Sequence, residues 1–366
     1  MTSATTTSSA LASTRIPYTL TRLGVVMDVD PTRPEEAEGV LNPATVRAPD
    51  GELYLFPRLV AAGNVSRIGR ARVVVEDGVP VGVERLGEVL DADRGWEHGT
   101  GHGGVEDPRI TWLPDLGVHV MSYVAFGPLG PRPALAVSTD GAAWTRLGPV
   151  QFAYDDALDT DLNLFPNKDV VILPEVVPAP DGRPSFAVLH RPMWDLSFAR
   201  PGEQPPLPAG TTDARAAIWI SYVDADEAAR DVRALTRPGR HTFLAGARDG
   251  WEEAKIGAGP APVRVDEGWL LLYHGVSGEI VDGGFSPQQD VRYCVGFMIL
   301  DAADPSRVLA RSTDPVLEPA TEDERAGTVG NVVFPTAIEV IDGERYVFYG
   351  MADTKIGVAR LDRTDG

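Results

Sequence analysis

Glu106 and Asp107 stand side by side in "GGVEDPRITW", between a flexible Gly pair and the apolar run Ile110-Thr111-Trp112. A proline and an arginine follow them. A carboxylate beside an arginine, held on a backbone that proline stiffens, is equipped for proton transfer or for holding hydroxyl groups. Four more short segments also open on a polar, Gly-rich or Pro-rich start and then turn apolar. They are "VLNPATV" at Asn42, "NKDVVIL" at Lys168, "AKIGAGPAPV" at Lys255 and "NVVFPTAI" at Asn331. Any one of them alone is an ordinary strand start. Together they suggest polar side chains gathered at one end of several strands.

Each segment runs into an acidic turn, and a β-rich segment follows. The turn acids are Asp50, Asp115, Asp181, Asp266 and Asp342, spaced 65, 66, 85 and 76 residues apart. Asp-Gly between alternating apolar flanks is a hairpin signal. Each unit is too long for one hairpin and suits a four-stranded sheet. Repeated sheets of that size close radially and so protect their edge strands. The expected fold is all-β, a five-bladed β-propeller, as a single domain over residues 16–366. Two sandwich domains are the alternative, although no linker divides the middle of the chain. The wide 85-residue interval contains "FARPGEQPPLPAGTTDA", residues 198–214, which reads as an inserted loop. "DADEAARDVRAL", residues 224–235, reads as a short helix.

With 38 Gly and 31 Pro in 366 residues, the chain is turn-rich, which favours short strands. Its formal charge of −20 argues against nucleic acid or an anionic membrane as partner. One cysteine, Cys294, excludes an internal disulfide and a cysteine metal cluster. No His, Cys, Asp and Glu spacing matches a metal site, so no metal is expected. Residues 1–15 are Ser/Thr/Ala-rich, lack the apolar core of a secretory signal, and are expected to be a disordered tail. No run approaches the ~20 apolar residues of a membrane span. The expectation is a soluble cytoplasmic protein, with assembly into a homo-oligomer left open.

The segments "GVEDPRI", "LHRP", "KIGAGPAPV", "GWLLLYHGV", "NVVFP" and "FYGMADTKIG" resemble, in order, glycoside hydrolase family 130. That family comprises the β-mannoside phosphorylases and related mannosidases. The resemblance covers residues 40 to 360 and itself implies a five-bladed propeller. It implies inverting cleavage of a β-mannoside by inorganic phosphate, giving α-mannose 1-phosphate and a shortened sugar. Phosphate would be a co-substrate, with no cofactor. Asp107 then takes the place of the family's proton donor, acting through a hydroxyl of the mannosyl ring. Adjacent side chains on a strand face opposite ways. Asp107 is therefore expected to point inward and Glu106 away, with Arg109 bracing the strand end.

By the same matching, Lys168, Arg191, Lys255 and His274 are implied to bind phosphate. Bidentate arginine and point-charge lysine suit that anion. The bland reading of each is a solvated cation or, for His274, a core imidazole. Four basic groups at strand starts of an acidic chain are harder to dismiss in that way. Asn42, Arg58, Tyr273 and Asp353 are implied to hold the sugar, with Arg67 a weaker candidate. Family members acting on mannosylglucose carry arginine where this chain has Lys168. "NKD", "HRP" and "ADTK" point instead toward β-1,2-linked mannosides. A hydrolytic mannosidase needs a carboxylate to orient water, and Asp169, Glu175, Glu252 and Glu253 lie near the cations in sequence. A non-catalytic sugar-binding propeller would not need Asp107. In the loop from Met193 to Ala214, Trp194 and Phe198 are expected to wall the side of the departing sugar.

Overall fold

A computed structural model describes residues 16–194, 203, 206–280, 288 and 290–364. The expected tail and Phe198 lie outside these residues. The fold is all-β, with two short α-helices among the described residues, α1 (Ala225–Arg230) and α2 (Glu322–Arg325).

Strand β1 (Tyr18–Met27) opens the described chain. Next come β2 (Gly39–Arg47), β3 (Leu53–Ala61), β4 (Val65–Glu76) and β5 (Val79–Leu90), an antiparallel meander. Then follow β6 (Gly103–Leu113), β7 (Val118–Gly127), β8 (Gly130–Ser138) and β9 (Thr145–Pro149), again an antiparallel meander. Two parallel pairs, Val65 with Gly103 and Ser66 with Gly104, join β4 to β6 and merge these two meanders into one eight-stranded sheet. A third meander holds β10 (Asn167–Pro178), β11 (Pro184–Pro192), β12 (Ile218–Asp224) and β13 (Gly239–Ala245). In the fourth, β14 (Lys255–Ala258) and β15 (Val263–Val265) both pair with β16 (Gly268–Gly278), followed by β17 (Val291–Leu300) and β18 (Val308–Arg311). The last sheet contains β19 (Val333–Ile341), β20 (Glu344–Met351) and β21 (Lys355–Arg363). Its fourth strand is β1, so the two ends of the described chain share one sheet.

All five acidic turns connect hairpins, with β2–β3, β6–β7, β10–β11, β15–β16 and β19–β20 around them. The Asp50 and Asp181 carboxylates accept backbone N–H groups two residues on, at 3.0 and 3.1 Å, as turn acids do. Asp342 and Gly343 form a two-residue turn with φ of 51° and 88°, the left-handed pair that matches strand twist. Helix α1 begins where expected. The Asp224 carboxylate accepts the N–H groups of Asp226 and Glu227, capping its first turn.

Apolar clusters lie between consecutive meanders. Phe56 and Ile68 pack with Met121 and Ala134, Leu135 with Phe186, and Leu189 with Trp269. Phe297 meets Val347, and Phe348 meets Leu55, so the last sheet packs on the first meander. Burying both faces of the inner strands turns their later halves into continuous apolar runs, such as Val170 to Leu173. Their polar residues are thereby confined to one end.

Candidate active site

The polar ends of β2, β6 and β10 share one backbone device. From Leu41 to Ala44, β2 advances three residues while β3 advances two, Arg58 to Phe56. The same count recurs from Glu106 to Arg109 on β6 and from Lys168 to Val171 on β10. Each is a bulge with one extra residue, which locally re-aims side chains. The extra residues include Asn42, Asp107 and Asp169, with φ of 44°, 47° and 56°. Asn and Asp tolerate this left-handed region better than other side-chain-bearing residues.

The bulge corrects one expectation. Glu106 does not point away from Asp107, because the strand alternation is broken between them. Both are buried, and both engage Arg58, whose Nη2 donates to Glu106 at 2.9 Å and Nη1 to Asp107 at 3.2 Å. Asn42 Nδ2 donates to the same Asp107 oxygen at 2.8 Å. Ser66 accepts from Arg58 Nε at 2.9 Å and fixes the guanidinium. Lys168 Nζ donates to Glu106 at 3.4 Å. Burial works to raise the Asp107 pKa, but the charges of Arg58 and Lys168 and the Asn42 hydrogen bond outweigh it and hold the carboxyl below its ordinary value. Asp353 behaves oppositely. Burial raises it to about 6 against the pull of Arg58, with the Asp107 charge adding to the rise. Its backbone is also left-handed, with φ of 48°.

Glu106→Gln should therefore be more than a mild change. Hydrogen bonds to charged groups contribute about 1.5–3 kcal/mol, so kcat/KM should fall roughly tenfold to a hundredfold. Steady-state kinetics on a β-mannoside would show it, and wild-type values would mean that Arg58 is held well enough by Asp107, Ser66 and Asn64, whose Oδ1 accepts from Nη2 at 3.2 Å.

A second cluster adjoins the first. Arg109 is buried and does brace the strand end. It donates to the carbonyls of Gly259 at 2.9 Å, Ala258 at 3.1 Å and Asp107 at 3.2 Å. Its Nη2 also reaches Asp169 at 3.1 Å, and the other Asp169 oxygen accepts from Arg191 Nε. Burial opposes ionisation of Asp169, yet Arg191 and Arg109 drive its pKa well below the usual carboxylate range. His274 Nε2 lies 3.7 Å from Asp169, beyond hydrogen-bond reach, and burial pushes the imidazole down to about 3, so it is neutral. Gly257 is required here, because a Cβ on it would lie 2.1 Å from an Asp169 oxygen and 2.5 Å from the His274 ring.

Lys255 has no carboxylate within ion-pair distance among the described residues. Its Nζ stands 5.3 Å from the Tyr293 ring centroid. Burial, then the charges of Arg191 and Lys168, lower its pKa to about 7. Arg191 Nη1 and both His274 ring nitrogens are buried with no hydrogen-bond partner among the described residues. Buried polar groups without partners are uncommon and call for a ligand or water. A network running across its own sheet, from β10 to β13, sets Arg191. Asn167 accepts the Arg191 N–H at 3.1 Å and donates to His190 Nδ1 at 3.0 Å. His190 Nε2 must then donate to Ser221 (2.8 Å), Ser221 to His241 Nδ1 (2.7 Å) and His241 Nε2 to the Ala153 carbonyl (2.7 Å).

The structure thus joins Asn42, Arg58, Asp107, Lys168, Arg191 and His274 through contacts, and Lys255 and Asp353 through charge. Two expected residues stand apart. Arg67 is paired with Glu88 at 3.0 Å, and strand alternation places it opposite Arg58's partner Ser66. Tyr273 is buried with its hydroxyl on Glu252 and Arg311, on the strand face opposite His274. Three residues enter that sequence reasoning gave no binding role: Glu106, Asp169 and Tyr293. Trp194 does not wall a site. It is buried with its ring against Phe165 and Trp219, at 5.0 and 6.0 Å between centroids.

The family model described as beta-1,4-mannooligosaccharide phosphorylase matches residues 235–365. A 1,2-beta-oligomannan phosphorylase of Thermoanaerobacter sp. (strain X514) is 32% identical over 72% of this chain and 69% of its own length. The chain belongs to glycoside hydrolase family 130. A beta-1,2-mannobiose phosphorylase of the same organism is 32% identical over 71% of this chain and 67% of its own. The structure of the Listeria innocua beta-1,2-mannobiose phosphorylase in complex with beta-1,2-mannobiose superposes with a TM-score of 0.69. It covers 95% of this chain and 97% of that one at 22% identity, a likeness of fold. In family 130 terms, the two clusters contain the positions matched from sequence, without Arg67 and Tyr273.

Proposed function

We propose that the protein cleaves a β-mannoside by inverting phosphorolysis, a β-1,2-linked manno-oligosaccharide being the substrate that its relatives favour. One observation carries the reading. A carboxylate cluster for a sugar adjoins the N–H donors of Arg191 and His274, whose neighbouring acid, Asp169, is already bound by two arginines. Inorganic phosphate satisfies those donors, with Arg191, Lys255, Lys168 and His274 around it. Asn42, Arg58 and Asp353 hold the mannosyl hydroxyls. Phosphate attacks C1 from the face opposite the departing sugar. Asp107 gives a proton, through a ring hydroxyl, to the glycosidic oxygen, and the C1–O bond breaks. The products are α-mannose 1-phosphate and a shortened sugar. Asp107 is ionised in the free site. Donation therefore requires Asp107 to take up a proton when the sugar binds, against the charges of Arg58 and Lys168.

The supporting scaffold is a five-bladed propeller, a single domain over residues 16–366. Its blades are β2–β5, β6–β9, β10–β13, β14–β18, and β19–β21 with β1. Five acidic hairpins and apolar clusters that lead from the last sheet back to the first support this count. No cofactor is needed. No helix among the described residues is long and apolar enough to cross a membrane, and work in the cytoplasm fits a phosphate-dependent enzyme.

A mannosidase is the second reading, and Asp353 is the observation that favours it. No hydrogen bond or ion pair to a described residue fixes this carboxyl, so it could orient water. The other carboxylates considered for that task are unsuited. Asp169 is clamped, Glu252 is bound to Tyr273 and Arg311, and Glu175 and Glu253 are exposed.

Lys255 provides the test of the phosphate site. Its ammonium is charged below pH about 7 and is lost as pH rises through that value. The kcat/KM for phosphate should therefore fall above pH 7. Lys255→Arg keeps its charge at every working pH, so this limb should move to higher pH. The ionisation of phosphate itself is common to both proteins. An identical limb in both would remove Lys255 from the phosphate site.

A further inference from the structure

A cavity of about 490 Å³ lies at the opposite end of β2 and β6, and none of the phosphorolysis residues lines it. Its walls include Thr45 and Arg47 of β2, Trp112 of β6, His119 of β7, Thr139 after β8 and Glu339 of β19. Trp112 is five residues beyond Asp107 on one strand, roughly 16 Å along it. The two sites therefore face different ends of the same strands.

The lining has a definite chemistry. Trp112 is 44% exposed, an unusual position for so large a ring. It is not loose, because the His119 imidazole lies behind it with centroids 4.6 Å apart. Glu339 is half-buried and has no ion pair among the described residues. Its carboxyl is raised by burial and held back mainly by a hydrogen bond from Thr45. Arg47 is committed to the carbonyls of Gly51 at 2.9 Å and Val340 at 2.7 Å. The cavity thus offers a fixed aromatic plate, a carboxyl acceptor, two hydroxyls and an imidazole.

We propose that this cavity binds a pyranose unit of a manno-oligosaccharide, as a second sugar site distinct from the catalytic one. The indole covers the apolar C–H face of a pyranose. Glu339, Thr45, Thr139 and His119 provide both acceptors and donors for hydroxyls, which themselves donate and accept. An anion is repelled by Glu339, and a cation meets the Arg47 guanidinium. A neutral polyol with one apolar face satisfies both constraints. That the sugar is a mannoside rests on the proposed function. The site would hold a longer chain, or a neighbouring one, while another end is processed.

The test is calorimetric titration of the whole protein with β-1,2-mannobiose in phosphate-free buffer, alongside turnover with phosphate. Wild type should bind two sugars per chain, and Trp112→Ala and Glu339→Gln one each. The kcat on mannobiose should stay within about twofold in both variants, as for independent distant sites. That kinetic control also shows that the variants fold. Turnover with a single binding event in wild type, unchanged by either substitution, overturns the second site and leaves the proposed function standing. Binding that Trp112→Ala abolishes, in a protein that turns over no mannoside, supports the cavity and removes the proposed function.

Discussion

Asp107→Asn should lose about 10²- to 10⁴-fold in kcat, the usual contribution of a general acid. The fold should be kept. Asn42 and Arg58 both donate to Oδ1 of Asp107, and an amide oxygen accepts there as well. The left-handed backbone at this position is one that asparagine adopts readily. What the amide lacks is a proton to give. Sugar binding, followed by calorimetry, should change far less than turnover. Turnover near wild type would move the donor to another carboxyl, with Glu106, on the same arginine, the first to examine.

Asp169 should be the most costly position for stability. Its two oxygens pair with Arg109 and Arg191, one each, and all three side chains are buried. Removing one partner of a buried ion pair costs about 3–5 kcal/mol, because the remaining charge stays buried and unpaired. Asp169→Asn should lower the unfolding free energy by that amount in a denaturant titration. Phosphate should then restore part of it, since an anion that binds only the folded state stabilises it by mass action. Undiminished stability would mean that the arginines relax toward solvent. Lost stability that phosphate does not recover would separate the arginine pair from the anion site.

The strands and the acidic turns could be read from the sequence, because period-two alternation and Asp-Gly turns are local signals. The inserted loop was less so. Trp194 reads as an exposed plate, but its neighbours are Phe165, in the turn before β10, and Trp219 on β12, and this tertiary packing buries it. The site was legible in residue type but not in orientation. Alternation assigned Glu106 to the outside, and the bulge at Asp107 cancels it. A signal for that bulge was present. Asn42 and Asp107 each precede a proline at a strand start, and both tolerate a left-handed backbone. The same alternation, applied to β16, separates Tyr273 from His274. Tyr293 comes from β17 and lies 6.0 Å from the His274 ring, between centroids. Its role depends on which strand of the sheet neighbours β16, a non-local fact. Asp169 looked like a possible base, and only the positions of Arg109 and Arg191 show that it is a counter-ion.

Phosphorolysis requires that phosphate, not water, accept the mannosyl group. The direct measurement is to incubate the protein with β-1,2-mannobiose, with and without phosphate, and to resolve the sugar products. α-Mannose 1-phosphate and one equivalent of mannose are expected when phosphate is present, and negligible cleavage without it. Free mannose as the only product, released at equal rates in both reactions, would contradict phosphorolysis.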